Sequence, residues 1–187
     1  QLQTWYALLL AHCGMLRKDD YAEAKLSGAS MTDHVTPRYD VPERELVIPP
    51  GKASAGFETI AVPGWRKLSG ELSRNNIAAL SEQERVSVAV VGELYLRELE
   101  AAYGKPLDKD VLLFPLIDDQ GRWHLDVPMC TKGLLRDFRA LARAAGLPEC
   151  IVSAMTLHGA RAGGATDAFL EMGGSPMAIA HIKKQGR

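Results

Sequence analysis

The chain has 187 residues, of which 47% are hydrophobic and 24% are charged, and its net charge at pH 7 is −1. These values are typical of a globular protein that can bury a full core. No apolar run is long enough to cross a bilayer, and the first residues lack the basic start of a signal peptide, so we expect an intracellular protein without a membrane partner.

The first predicted element is an apolar helix from Leu2 to Cys13, which Gly14 ends. A second short helix is expected over residues 19–26. Two strand-like runs follow, at residues 45–48 and 57–62. Proline and glycine residues between these runs indicate a hairpin with a long tip.

Helices dominate the rest of the prediction. Ser81 and Glu84 match a capping box, which opens a helix that runs to about Tyr103. Residues 118–121 predict a turn, and residues 131–145 predict another helix.

The last two predicted helices are separated by glycines. Thr156 caps a helix that runs to Met172, Gly173 and Gly174 end it, and Pro176 takes the first position of the next helix. The sequence therefore predicts a mostly α fold with a small antiparallel β-hairpin or sheet, of the α+β class.

Cysteine and histidine spacing argues against a metal site. Cys13, Cys130 and Cys150 form no Cys-x-x-Cys pair, which favours reduced, buried thiols. The five histidines are equally scattered, and no spacing is typical of zinc ligands. We predict no metal and no other cofactor.

Basic residues concentrate towards the end of the chain. Residues 131–187 contain eight Lys or Arg and four Asp or Glu, whereas residues 1–130 contain 14 and 19. A basic third on a mildly acidic body is compatible with an anionic partner.

A histidine and an arginine stand three residues apart near the start of the helix that Thr156 caps. His158 and Arg161 would share one helix face, where backbone N–H groups favour an anion and a guanidinium matches phosphate oxygens. Gly163 and Gly164 would let another backbone approach closely. The alternative is a surface arginine and a half-buried histidine on a packing helix.

Three upstream residues are further candidates. Arg17 follows the first buried helix, and Asp20 can orient it by a salt bridge; helix capping is the alternative role of this arginine. Lys52 falls at the predicted hairpin tip. A lysine there can reach into a site and donate a proton, or it can be a solvated turn residue.

Arg17, Lys52 and the box from His158 to Arg161, in this order and spacing, resemble the catalytic domain of the tyrosine recombinases, the phage-type integrases. Residues 11–20 resemble the segment around that family's first arginine, with Asp20 at its acidic position, and residues 45–62 resemble its hairpin. Residues 174–179 resemble the stretch before its last phosphate-contacting position, which would fall at Arg187 or just beyond. The similarity covers nearly the whole chain. The sequence pattern is most like that of recombinases of eukaryotic mobile elements.

The resemblance implies site-specific DNA recombination, as in the integration or transposition of a mobile element. In such enzymes a tyrosine attacks a DNA phosphodiester without a metal and forms a 3′-phosphotyrosyl intermediate. Arg17, His158 and Arg161 would stabilise charge on the phosphoryl oxygens, Lys52 would act as general acid, and Arg187 would contact a phosphate. The implied partners are double-stranded DNA and further copies of the chain in a tetramer. The implied location is the nucleus of a eukaryote, or the cytoplasm for a bacterial or phage protein.

The sequence departs from the family pattern in two ways. The nucleophilic tyrosine would lie beyond residue 187, because the five tyrosines stand at positions that the pattern does not use: Tyr6, Tyr21, Tyr39, Tyr95 and Tyr103. The family's N-terminal DNA-clamping domain is also absent. We therefore expect residues 1–187 to be a single catalytic domain, truncated at both ends, that binds phosphate without turnover. The alternatives are a non-catalytic DNA-binding relative and an unrelated helical interaction module.

Overall fold

The computed structural model describes residues 2–13, 29–35, 42–48, 58–63, 88–105, 107 and 111–186. These residues form helices and antiparallel strands in the following order along the chain: α1 (Leu2–Cys13), β1 (Ala29–Val35), β2 (Pro42–Ile48), β3 (Glu58–Pro63), α2 (Val88–Tyr103), β4 (Pro115–Ile117), β5 (Trp123–Pro128), α3 (Thr131–Ala144), α4 (Glu149–Ala154), α5 (Leu157–Glu171) and α6 (Pro176–Gly186). The described part is mainly helical, as the sequence predicts.

Helix α1 lies at the centre of the core. It is apolar around most of its circumference, which is typical of a helix with neighbours on several sides. Tyr6 and Leu10 have no exposed surface, and Ala11 is 1% exposed. The helix contacts α2, α3, α5 and β3. Its burial therefore joins elements that are far apart in the sequence.

Aromatic rings and a small polar network join α1 to α2 and β4. The ring centroids of Tyr6, Tyr95 and Phe114 lie 5.6–5.7 Å apart. The Tyr95 hydroxyl donates a hydrogen bond to the Leu113 carbonyl (2.7 Å), and the Gln3 side-chain amide donates to the Pro115 carbonyl (2.6 Å) and the Tyr95 oxygen (3.3 Å). Burial raises the pKa of Tyr95, so its hydroxyl stays protonated as a donor. The polar groups of this core are thus paired, as burial requires.

The predicted hairpin is confirmed and extended. Strands β2 and β3 pair antiparallel from Glu43 opposite Pro63 to Ile48 opposite Glu58. Strand β1 adds a third strand on the other side of β2. Its sequence mixes polar and apolar residues without a clear period of two, so periodicity alone does not reveal it.

The prediction of a single hairpin was incomplete, because β4 and β5 form a second one. The predicted turn at residues 118–121 connects them. The Asp118 carboxylate accepts hydrogen bonds from the backbone N–H groups of Gln120 and Arg122 and from the Arg122 side chain, at 2.8–3.0 Å. These bonds, with that of the Arg122 N–H the largest influence, lower the pKa of Asp118. The turn is thus held by one carboxylate.

The predicted C-terminal end of α2 and both predicted ends of α3 and α5 are confirmed within one residue. The Thr156 hydroxyl accepts a hydrogen bond from the Gly159 N–H (3.2 Å), as an N-cap does. The short helix α4 was not predicted, because six residues are too few for a helical period. The predicted helix over residues 19–26 and the capping box at Ser81 and Glu84 lie outside the described residues.

The prediction of buried thiols was wrong for two cysteines. Cys130 and Cys150 are free and exposed. Each stands at the start of a helix, Cys130 as the N-cap of α3 and Cys150 in the first turn of α4. Helix starts here face solvent, and three widely spaced cysteines contain no information about that orientation.

None of the helices in the described part of the chain is both long and apolar enough to span a membrane.

Helices α1 and α5 cross at a contact that leaves no room for a side chain. A Cβ on Gly164 would overlap the carbonyl oxygen of His12 and lie 2.7 Å from its carbonyl carbon. A Cβ on Gly163 would lie 3.4 Å from the His12 ring. Beside this contact, His12 Nε2 lies 3.0 Å from the Asp167 carboxylate. The last turn of α1 is therefore held against the second and third turns of α5.

We expect Gly164→Ala to lower the free energy of unfolding by about 1–3 kcal/mol, because the new methyl group must push two backbones apart. This loss exceeds the gain of about 1 kcal/mol that alanine brings to a helix interior. Urea denaturation measures the change. Gly163→Ala is the matched control and is expected to be near neutral, since the His12 ring can shift by a few tenths of an ångström. Equal stability of the two variants would contradict the close backbone contact.

Candidate phosphate-binding site

The His158 and Arg161 side chains lie on one side of α5, in its first two turns. Residues three apart on a helix are neighbours, with Cβ atoms about 5–6 Å apart. Leu157 and Ala160 pack against the core, which fixes the rotation of the helix. His158 is exposed and Arg161 is half-buried at the edge of the packed face. The structure thus keeps both groups near the N-terminal end of α5, where backbone N–H groups favour an anion.

The contact with α1 lies directly beside this pair. Gly164, which touches the His12 backbone, follows Arg161 by three residues on the same helix. Helix α1 ends at Cys13, four residues before Arg17 in the sequence. The last described residues before Arg17 are therefore those of the α1 turn that contacts α5.

Four of the predicted site residues lie outside the described part of the chain: Arg17, Asp20, Lys52 and Arg187. The elements that flank Lys52 are described. Strands β2 and β3 are paired up to Ile48 and Glu58, so residues 49–57 connect the two strands, and β3 contacts α1. The roles of these four side chains remain predictions.

Two arginines of α3 hold α4, the helix that leads into α5, and the sequence does not reveal these contacts. Arg139 Nη2 donates hydrogen bonds to the carbonyls of Ser153 and Met155, both at 2.9 Å. One turn along, Arg143 donates two bonds of 2.7 Å to the Glu149 carboxylate. Helix α4 is therefore held at both ends by α3. The i, i+4 spacing of the arginines is visible in the sequence, but their partners are not.

Contacts within the protein also engage arginines that contribute to the surplus of basic residues over residues 131–187. A third arginine of α3, Arg136, lies 2.6 Å from Asp119 and 3.0 Å from Asp137. Its pKa is raised by these two carboxylates, as is that of Arg143 by Glu149. Arg136, Arg139 and Arg143 thus have partners within the protein. The charge surplus of residues 131–187 is therefore not a row of unengaged cations.

A separate cavity of about 350 Å³ lies at the other end of α1. Gln3 and Thr4 line it from α1, and α3 contributes Gly133, Leu134, Arg136 and Asp137. Cys130 also lines it, and the nearby backbone N–H groups of Gly133 and Lys132 lower the pKa of its thiol below the ordinary value of 9.0. Gln3 and His12 are nine residues apart, about 13 Å along a helix, so this cavity is distinct from the surface of His158 and Arg161.

The described tyrosines are poorly placed for nucleophilic attack on DNA. Tyr6 and Tyr95 are completely buried in the core. The Tyr103 hydroxyl donates a hydrogen bond to the Leu125 carbonyl (3.2 Å). Tyr21 and Tyr39 lie outside the described residues. Burial of Tyr6 and Tyr95 means that neither can reach a phosphodiester without disruption of the core.

Within the described ranges, no group of three His, Cys, Asp or Glu residues is arranged to hold a metal ion. No protein-family model matches the chain, and no curated protein is significantly similar to it. The residues themselves are therefore the basis for any proposal about function.

The Glu149 carboxylate makes the α3–α4 contact dependent on pH. Hydrogen bonds from Arg143 and Ser153 lower the pKa of Glu149 from 4.5 to about 2. A lowered pKa stabilises the fold above the unfolded value and loses this effect as the pH falls through the folded value. We expect Glu149→Gln to lower Tm by about 1–3 °C at pH 7 and by less at pH 2.5. Thermal melts at the two pH values measure this, and a pH-independent difference would contradict the role of the charge.

Cys130 should be unusually reactive for an exposed thiol. A lowered pKa increases the thiolate fraction at neutral pH, and the thiolate is the nucleophile. We expect iodoacetamide at pH 7 to alkylate Cys130 about threefold or more faster in the folded protein than in urea. Peptide mass spectrometry gives the rate, with the exposed Cys150 as the internal reference. Equal rates in the two states would show that the α3 N-terminus has no effect on the thiol.

Proposed function

We propose that this chain is the DNA-phosphate-binding core of a tyrosine recombinase, a protein that cuts and rejoins double-stranded DNA at specific sites. The observation that supports the proposal most is the contact between α1 and α5. It brings the last turn of α1, which ends four residues before Arg17 in the sequence, next to the helix that carries His158 and Arg161. Arginine, then hairpin lysine, then the His-x-x-Arg box is the order that the recombinase resemblance requires.

The proposed chemistry concentrates cations and donors on one phosphate. The Arg161 guanidinium and the His158 ring donate to the two non-bridging oxygens of the phosphodiester. Arg17 adds a second guanidinium, which Asp20 orients. Such preorganised donors stabilise the negative charge that develops on phosphoryl oxygens in the transition state, typically by about 3 kcal/mol each.

Strand cleavage in this proposal needs a tyrosine and a general acid. A tyrosine oxygen attacks phosphorus, the bond from phosphorus to the 5′ oxygen breaks, and Lys52 donates a proton to that oxygen. The 3′-phosphotyrosyl bond keeps the energy of the phosphodiester, so rejoining by the reverse step needs no ATP. Tyr6 and Tyr95 are buried, so neither supplies the nucleophile.

One observation favours the alternative of a helical interaction module. Leu170 at the end of α5 and Met177 and Ile179 on α6 are 68%, 72% and 46% exposed. Apolar side chains of this exposure are a feature of protein-binding surfaces. A lack of salt-sensitive duplex binding would favour this function, whereas duplex binding that is independent of His158 and Arg161 would favour a non-catalytic DNA-binding role.

We expect Arg161→Ala to weaken binding of residues 1–187 to a 30-base-pair duplex by about 10- to 100-fold, since a charge-assisted contact to a phosphate contributes about 1.5–3 kcal/mol. Arg97→Ala is the matched control, because Arg97 is exposed on α2 and its replacement removes the same charge. Fluorescence anisotropy over a range of salt concentrations measures both variants. Equal losses in the two variants would contradict the assignment of Arg161 to the site.

We also expect residues 1–187 to bind nicked duplex DNA without a covalent bond. Denaturing gel electrophoresis after incubation with the nicked substrate measures this directly. A protein–DNA adduct that survives the detergent would show that a tyrosine of this chain other than Tyr6 and Tyr95 is the nucleophile, and would overturn the expectation that the nucleophile lies elsewhere.

A further inference from the structure

The end of α4 has backbone carbonyls that the helix cannot pair. The last four carbonyls of any helix lack an intrahelical donor. The carbonyls of Ser153 and Met155 both accept hydrogen bonds from Arg139 Nη2, at 2.9 Å. The arginine also places a positive charge at the C-terminal end of α4, where the helix dipole favours it. One guanidinium nitrogen thus pairs two carbonyls that are two residues apart.

Arg139 holds the first of the two residues that link α4 to α5. Met155 (φ −65°, ψ 137°) and Thr156 (φ −133°, ψ 157°) are extended, and α5 begins at the next residue. A link of two residues that are both extended cannot lengthen further. The position of the Met155 carbonyl therefore decides where the first turn of α5 lies. That turn contains His158 and is closed by the hydrogen bond from the Gly159 N–H to the Thr156 hydroxyl.

Arg139 reaches the link between α4 and α5 through a single nitrogen, Nη2. Its Nε is buried and has no hydrogen-bond partner in the described part of the protein, so the side chain is oriented by its Nη2 bonds. Nearby, Arg143 holds the opposite end of α4 through Glu149 and does not contact the link. Arg139 and Arg143 therefore have the same charge and lie on the same helix, but only Arg139 contacts the link to α5.

We propose that Arg139 is a positioning residue for His158: it holds the first turn of α5 so that the imidazole meets the phosphate. The inference rests on the proposed function, because it requires a phosphate at His158. Arg139 itself does not contact the phosphate. It acts through the Met155 carbonyl, the Thr156 cap and the first turn of α5.

The test compares Arg139→Ala with Arg143→Ala, alone and combined with His158→Ala. In Arg139→Ala we expect hydrogen exchange at the Gly159 amide to rise about tenfold and duplex affinity to fall about tenfold, whereas Arg143→Ala changes each by less than about threefold. In the His158→Ala background, Arg139→Ala should add no more than Arg143→Ala does. Arg139→Lys keeps a donor and the charge, and should recover most of the amide protection and affinity.

The outcomes separate the two proposals. Unchanged Gly159 exchange in Arg139→Ala, or losses from Arg139→Ala and His158→Ala that simply multiply, would overturn the positioning role while the proposed function stands. Full duplex affinity in both His158→Ala and Arg161→Ala would overturn the proposed function, and with it the need to position His158. If Arg139→Ala fails to fold by circular dichroism, Arg139→Lys and Arg139→Gln give the same comparison, with Gln expected to lose protection and affinity and Lys to keep them.

Discussion

The close contact between the last turn of α1 and Gly164 of α5 is the constraint on which the arrangement depends. Dispersion and burial can join α1 to α5 only because no side chain separates their backbones there. The rest of α1 is buried against α2 and the hairpin of β4 and β5, through rings and paired polar groups such as Tyr95 and Gln3. One helix thus connects the start of the chain to its last third.

A second constraint acts from the other side of α5. The arginines of α3 hold both ends of α4, and α4 leads into α5 through a two-residue link. The N-terminal turn of α5 is therefore located by two independent sets of contacts, apolar at its packed face and polar at its entry. The proposed phosphate site would benefit from such fixed positions, because preorganised donors lose little freedom when a ligand binds.

The cavity beside Cys130 and the contact of Gly164 lie at opposite ends of α1. At the start of each helix involved, α3 and α5, unpaired N–H groups favour negative charge. At Cys130 these groups act on a thiol of the protein itself, whereas on α5 one of them is already satisfied by Thr156. The same backbone feature thus has different chemical consequences, set by which side chain occupies the cap.

Local patterns in the sequence were sufficient for most elements: the apolar run of α1, the ends of α2 and α3, the Thr156 cap and the β2–β3 hairpin. They did not lead to a prediction of β1, β4, β5 or α4, or of the exposure of Cys130 and Cys150. The i, i+3 placement of His158 and Arg161 is likewise a local property. Pairing partners are not local, so the roles of Arg139 and Arg143 could not be predicted.

The sequence by itself determined which residues could bind a phosphate, because residue type and helical spacing are enough to place His158 and Arg161 on one face. Only the tertiary structure decided that α1 contacts the same helix at Gly164, that Arg139 bonds to the Met155 carbonyl before that helix, and that Tyr6 and Tyr95 are inaccessible. The physical reason is that these facts depend on contacts between residues more than a dozen positions apart. Such contacts arise from packing and from the pairing of buried polar groups, and neither leaves a periodic signal in the chain.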